Sequence, residues 1–254
     1  MDEVAYAKIN LALRVRGKRP DGYHELDTLF AFAEHGDRLS VADGEGLSLR
    51  VIGAFADRLG ACEDNMVLRA AHALGGTGAA LTLEKRLPVA AGIGGGSADA
   101  AAALRLLNRW WGLGLGPAEL LALAGHLGAD VPACFLSRTV RGSGRGDILE
   151  PAETPLGSKP LLLVNPGVAL ATADVFARWR GLPSDGNDLE PPARELAPVV
   201  GEVLDILRAQ PGSRLAAMSG SGATCFAIFD DEAARDSAGA ALPARWWRLA
   251  SRLR

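Results

Sequence analysis

Between positions 88 and 111 the chain reads PVAAGIGGGSADAAAALRLLNRWW, a glycine-packed turn that opens into an alanine-rich stretch. Gly92, Gly94, Gly95 and Gly96 carry no side chain and adopt positive φ freely, so backbone N–H groups can converge on one point. Ser97 is placed to cap the following helix, whose first N–H groups and dipole face the same point. That is chemistry for an anion, and phosphate is the usual occupant. The candidate cradle comprises Pro88, Val89, Ala90, Ala91, Gly92, Ile93, Gly94, Gly95, Gly96 and Ser97. No Gly-Lys-Ser/Thr follows, which excludes a Walker A loop. Ser97 stands where a dinucleotide-binding fingerprint needs its third glycine. Asp99 competes with a bound anion unless it turns away or holds a cation beside the phosphates.

Four other segments place chemistry-bearing residues at fixed points. AYAKIN sets Lys8 among small and apolar neighbours, where a strand lysine is usually a solvated outer-face residue. LGADVP sets Asp130 just before a helix start, where its simplest role is an N-cap. MSGSGATCFAIF puts Ser219, Gly220, Ser221 and Gly222 between two apolar runs, as a hairpin loop able to close over the first glycine turn. DGYHEL puts Tyr23 and His24 beside a turn; such a pair packs in most proteins, and both rings can also stack on a base.

Stepping outward, the loop is preceded by LTLEKRLP, which alternates like a strand. The stretch after it carries Ala100, Ala101, Leu104, Leu107 and Trp111 at helical spacing, a face to bury under a sheet. Strands are predicted in VAYAKINLALRV, DTLFAFAE, DRLSVAD and GLSLRVIG, then a short helix over 65–74 ended by Gly75 and Gly76. A second helix follows over 117–126, and 139–149 alternates with the interruption RGSGRGD. Prolines and glycines gather over 151–160, giving two domains, 1–152 and 153–254. Beyond that boundary come a strand at 161–164, a helix over 172–179, a loop over 181–192 and a helix over 194–209. The pattern is α+β with two lobes.

The 254 residues, 48% hydrophobic and 22% charged, describe an ordinary globular chain. A net charge of −3 without a Lys/Arg stripe gives no reason to expect nucleic acid. Cys62, Cys134 and Cys225 are odd in number and far apart, so neither a disulfide framework nor a metal site is predicted. MDEVAYAKIN is not a secretory signal, and no apolar run reaches membrane-span length; the expectation is a cytoplasmic protein with no membrane partner.

The order AKIN, DGYHEL, PVAAGIGGGSADAAA, LGADVP, NPG, NDLE, MSGSGAT resembles the GHMP kinase superfamily. The match runs from Ala7 to Phe229, and its ordered combination is far more specific than any one segment. DGYHEL and LGADVP make it most similar to the members that phosphorylate a cytidyl diphosphate sugar alcohol for isoprenoid precursors. The resemblance implies a ribosomal-protein-S5-like N-terminal ATP-binding lobe and a ferredoxin-like C-terminal substrate-side lobe. It implies ATP as phosphoryl donor with Mg²⁺, held by the phosphates and water. By the same resemblance Asp130 is the general base on the substrate's C2 hydroxyl, with Lys8 beside it as electrostatic partner. Asn10, Tyr23, His24, Thr172 and Phe176 fall on the substrate side, Tyr23 and Phe176 sandwiching a cytosine that His24 reads. Residues Ser219, Gly220, Ser221 and Gly222 support the phosphate end. The chain departs from the pattern at Ala98, where a second serine is common, and in RGSGRGDILEP, which adds Arg141 and Arg145. Trp246 and Trp247 are expected to pack, and the closing arginines to form a solvated edge.

Overall fold

A computed structural model describes residues 1–59 and 64–254; Cys62 lies outside the described residues. The described chain forms two compact units from interleaved segments. The first holds Met1–Ala7, His35–Val89 and Gly94–Ser137, the second Lys8–Glu34, Ala90–Ile93 and Arg138–Arg254. The strands β1 (Asp2–Lys18) and β2 (His24–Asp43) are long enough to supply residues to both.

In the first unit, the second half of β2 pairs antiparallel with β4 (Ala79–Glu84), which pairs parallel with β3 (Leu47–Ile52). Its α-helices among the described residues are α1 (Met66–Leu74), α2 (Gly95–Trp110), α3 (Pro117–Leu127) and α4 (Val131–Leu136). As expected, α1 ends at Gly75, in the left-handed region; its start is capped by the Asn65 side chain, which accepts from Val67 N. The alanines of α2 are buried together with Leu104, Leu106 and Leu107, and small side chains let α1, α3 and α4 pack against it closely. The segments DTLFAFAE and DRLSVAD, read as two strands, are one. Gly36 does not break β2: a Cβ there would lie 1.8 Å from the Ala5 carbonyl oxygen, so the glycine admits the neighbouring backbone instead.

In the second unit, the first half of β2 pairs with β5 (Val140–Gly144), which pairs with β6 (Ile148–Pro151). RGSG, read as an interruption, therefore belongs to a strand, and only residues 145–147 turn. A second sheet orders β10 (Trp247–Arg252), β7 (Pro160–Asn165), β9 (Cys225–Phe229) and β8 (Ser213–Met218), all antiparallel. The helices α5 (Thr172–Arg178), α6 (Glu190–Leu196), α7 (Val199–Ala209) and α8 (Glu232–Ala241) complete the unit. This strand order and connectivity is the ferredoxin-like arrangement expected. The single helix expected over 194–209 is two. Pro198 has no N–H to continue α6, and Ala197 leaves helical geometry at φ −140°. Pro191 and Pro192 sit in the first turn of α6, where a missing N–H costs nothing, so α6 begins inside the expected loop. Trp246 is buried as expected, in a core with Leu162, Val164, Leu204, Leu207 and Phe229.

Asp27 of β2 accepts hydrogen bonds from Arg141 Nε and Nη2 at 2.9 and 2.8 Å and from Arg16 Nη2 at 2.7 Å. The Arg141 hydrogen bonds, then those of Arg16, outweigh partial burial and pull its carboxyl from 3.8 down to about 2. A lowered folded value means the stabilisation is present above pH 3.8 and disappears as pH falls toward 2. Both arginines are more than half exposed, so on the order of 1 kcal/mol survives screening. Urea unfolding of Asp27→Asn should therefore show a deficit of that size at pH 7 that closes by pH 2. A deficit independent of pH would mean the carboxylate charge is not the cause.

Candidate functional site

The phosphate-type turn is built from residues in unusual backbone regions. Ala90, Gly92 and Gly94 have φ of 53°, 75° and 63°, so alternate residues are left-handed and successive N–H groups curl toward a common side. The cap of α2 is Gly94, with no side-chain hydrogen bond, and Ser97 is the third residue of the helix. Ser97 is therefore not the N-cap expected: the left-handed glycine brings the chain into the helix earlier than a serine in the extended region would. Gly92 answers a different need. A Cβ there would lie 2.4 Å from the Ser219 carbonyl oxygen, so this glycine admits the 219–222 loop. Gly95 and Gly96 answer neither. Their added Cβ atoms would come no nearer than 3.4 and 3.8 Å to any neighbour, ordinary contact distances. Glycine in a helix costs about 1 kcal/mol relative to alanine. Glycine is thus used twice in the first turn of α2 where packing has room for a methyl.

Beneath that turn lies a buried charge cluster the sequence did not disclose. Lys85, just past β4, donates to Asp37 Oδ2 and, at 2.8 Å, to Asp99 Oδ2. Asp37 Oδ1 also accepts from the backbone N–H groups of Arg86 and Leu87, at 2.6 and 2.9 Å. All three charged side chains are almost fully buried. Asp99 thus points inward at a cation of its own, and does not compete with an anion at the helix mouth. Its Oδ1 has no hydrogen-bond partner, and burial pushes its carboxyl up to about 7 despite Lys85. A Cβ on Gly95 would sit 3.4 Å from Lys85 Nζ, so the ammonium supports the helix's first residue from below.

Asp130 precedes α4, half-buried, with φ −83° and ψ −15°. Its backbone carbonyl accepts from Cys134 N, but its side chain makes no capping bond. The simple N-cap role is thereby excluded.

In the second unit, Lys8 is buried at 4% exposure, contrary to the usual habit of strand lysines. Its Nζ lies 5.0 Å from the centre of the Phe30 ring and donates to Asn10 Oδ1 at 3.0 Å. Asn10 Nδ2 donates to Thr28 Oγ1 at 2.8 Å, and that hydroxyl donates to the Ala12 carbonyl at 2.7 Å. This relay fixes the orientation of the Asn10 amide with its oxygen toward Lys8. Asn10 N donates to Ser219 Oγ at 3.2 Å, and Ser219 Oγ donates to the Gly92 carbonyl at 2.9 Å. The Lys8 strand, residues 90–93 and the 219–222 loop are thus joined. Lys8 N adds a bond to the Ile93 carbonyl at 3.0 Å, and Thr224 N one to the Ala91 carbonyl at 3.2 Å.

The NDLE and NPG segments acquire a purpose here. Asn187 Nδ2 donates to the Met218 and Gly220 carbonyls at 2.7 and 2.8 Å, clamping the loop from the far side. Asp188 accepts from Val15 N at 2.9 Å and Arg14 Nη1 at 2.9 Å. Asn165 Nδ2 donates to Thr224 Oγ1 at 2.9 Å. These positions are visible as motif letters, but pairs separated by 31 to 174 residues leave no local signal.

Of the remaining expected residues, Thr172 Oγ1 meets Ser221 Oγ at 2.9 Å. The His24 ring stacks on Phe176, centroids 4.6 Å apart and planes 25° apart, with the Trp179 ring edge-on at 6.0 Å. Burial, then Lys18, lowers the His24 pKa below 6.5, so at neutral pH the imidazole offers one donor and one acceptor. Tyr23 is 56% exposed, with the Arg145 guanidinium 5.2 Å from its ring centre. Among the described residues no three His, Cys, Asp or Glu side chains gather into a metal-holding group.

The model of the GHMP kinases N terminal domain matches residues 65–138, and that of the GHMP kinases C terminal domain matches residues 174–248. The 4-diphosphocytidyl-2-C-methyl-D-erythritol kinase of Rhizorhabdus wittichii is 56% identical, over 99% of this chain and 94% of its own. The enzyme of the same name from Novosphingobium aromaticivorans is 50% identical over 99% of this chain and 92% of its own. A crystal structure of 4-(cytidine 5'-diphospho)-2C-methyl-D-erythritol kinase superposes with a TM-score of 0.84 at 35% identity, covering 100% of this chain and 99% of that one. The α+β, two-lobed fold and the ordered motifs have one explanation: the chain belongs to the 4-diphosphocytidyl-2-C-methyl-D-erythritol kinase family of the GHMP kinases.

Proposed function

We propose that the chain transfers the γ-phosphoryl group of ATP to the C2 hydroxyl of 4-diphosphocytidyl-2-C-methyl-D-erythritol, yielding the 2-phosphate and ADP for isoprenoid precursor synthesis. Phosphoryl transfer asks for a phosphate seat, neutralised charge and an aligned hydroxyl, with little covalent work for the protein. The seat is the turn 88–97, and the observation that most supports it is Gly95 and Gly96, two first-turn glycines that packing does not require. Asp130, whose carboxylate is not spent as a cap, takes the proton of the attacking hydroxyl. Lys8 supplies positive charge that steadies the oxygen as it becomes anionic. Asn10 orients the Lys8 ammonium through its amide oxygen. Ser97, the hydroxyl of the turn, would face a Mg²⁺ carried on the nucleotide phosphates, which would supply charge neutralisation there.

On the acceptor side, Tyr23 and Phe176 face the base, His24 reads its edge with a neutral imidazole, and Thr172 holds the diphosphate-bearing portion. The loop from Ser219 to Gly222 braces the phosphate end through the Ser219–Gly92 bond. The reaction takes place in the cytoplasm on small-molecule substrates.

ADP release should be followed by coupled assay with ATP·Mg²⁺ and three acceptors: the cytidyl compound, mevalonate and homoserine. Turnover is expected with the cytidyl compound alone. ADP release with mevalonate or homoserine, and none with the cytidyl compound, would overturn the assignment.

A further inference from the structure

The hairpin turn that departs from the family pattern lies against Tyr23. Arg145 stands at the tip between β5 and β6, and its Nε and Nη2 both donate to Asp147 Oδ2, at 3.0 and 2.7 Å. Asp147 Oδ1 accepts from Arg145 N at 3.1 Å, so one carboxylate holds both the backbone and the head of the same residue. Gly144 and Gly146, at φ 69° and 94°, permit this tight turn. The clamped guanidinium lies 5.2 Å from the centre of the Tyr23 ring.

The Tyr23 side is tied down as well. Asp21 Oδ1 accepts from Tyr23 N at 3.1 Å, and Arg19 Nε donates to Asp21 Oδ2 at 3.2 Å. Glu25 accepts from Gly144 N at 3.1 Å through one oxygen and pairs with Arg19 through the other. The two turns are therefore joined by Glu25, and the ring of Tyr23 rests on Arg145 while 56% of the residue stays exposed. A large aromatic side chain left in water is ordinarily mobile; this one is fixed at its backbone and backed on its ring.

We propose that Arg145, clamped by Asp147, is a specificity-determining positioning residue that holds Tyr23 as a preformed stacking platform for the base of the acceptor substrate. The inference rests on the reading above that Tyr23 meets that base. Arg145 acts through the ring and not as a free cation, because its charge is matched by Asp147 and two of its N–H groups are engaged there. What it offers Tyr23 is a flat, fixed, positively charged backing, which restrains the ring and attracts its π face. A planar base is the ligand class that gains from such a platform, since stacking is lost when the partner ring must first be ordered.

The test is steady-state kinetics with the cytidyl substrate and ATP on Arg145→Ala, Asp147→Ala, Tyr23→Ala and the Tyr23→Ala/Arg145→Ala pair. Arg145→Ala is expected to raise KM for the cytidyl substrate roughly three- to tenfold, leaving the KM for ATP unmoved. Asp147→Ala should shift KM in the same direction. Tyr23→Ala should raise KM about tenfold or more, and the double variant should be no worse than Tyr23→Ala alone. If Tyr23→Ala raises KM but Arg145→Ala does not, or if the two effects multiply in the double variant, the positioning role is wrong while the reading of Tyr23 stands. If Tyr23→Ala leaves KM unchanged, that reading fails and takes this inference with it.

Discussion

Exchanging Asp130 for asparagine is expected to lower kcat at least about a hundredfold while the KM for ATP stays within about twofold. Removal of a general base typically costs 10²–10⁴ in rate, and asparagine keeps the shape while losing the proton-accepting charge. Had the carboxylate capped α4, asparagine would preserve the cap and turnover would be nearly normal, but the side chain makes no capping bond. The loss expected of a missing general base is a loss of turnover, whatever the variant does to stability. Single-turnover ADP formation beside ATP-binding titration separates the two, and near-normal turnover would assign Asp130 to structure.

Replacing Lys85 by methionine destabilises the protein by about 3–5 kcal/mol, since removing one partner of a buried ion pair strands the opposite charge. Here two carboxylates are stranded, Asp37 and Asp99, and Asp99 Oδ1 already lacks a partner. The loss also acquires a pH dependence of defined sign. Burial raises the Asp99 carboxyl in the folded state, so without the ammonium it is more readily accommodated protonated. An acid whose folded value lies above its unfolded one loses stability as pH rises between the two. Lys85→Met should therefore unfold at lower urea concentration at pH 8 than at pH 5.5. Asp99→Asn should rescue part of the loss. Asp37→Asn should rescue less, because Asp37 also holds the Arg86 and Leu87 N–H groups. A Lys85→Met deficit below 1 kcal/mol would show that the cluster is solvated in practice.

Much of this protein was legible before any coordinates, and for a local reason. A glycine run entering a helix and a Gly stop after α1 are each decided within a few residues by backbone sterics and orphan carbonyl and N–H groups. The order of short motifs then carried the family, because each motif is a compact piece of chain that keeps its own geometry.

What the tertiary structure decided are the pairings that span distance. Gly36 reads as a strand end until Ala5 is seen lying against it. Lys8 reads as a surface residue until Asn10 and Phe30 are found around it. Lys85 joins Asp37 and Asp99 across 48 and 14 residues, and Asn187 reaches the 218–220 loop across 31. A buried charge is tolerable only beside its counter-charge, and an amide clamp exists only where two backbones meet. Residue type states what a side chain needs; only the folded chain supplies the partner that meets the need.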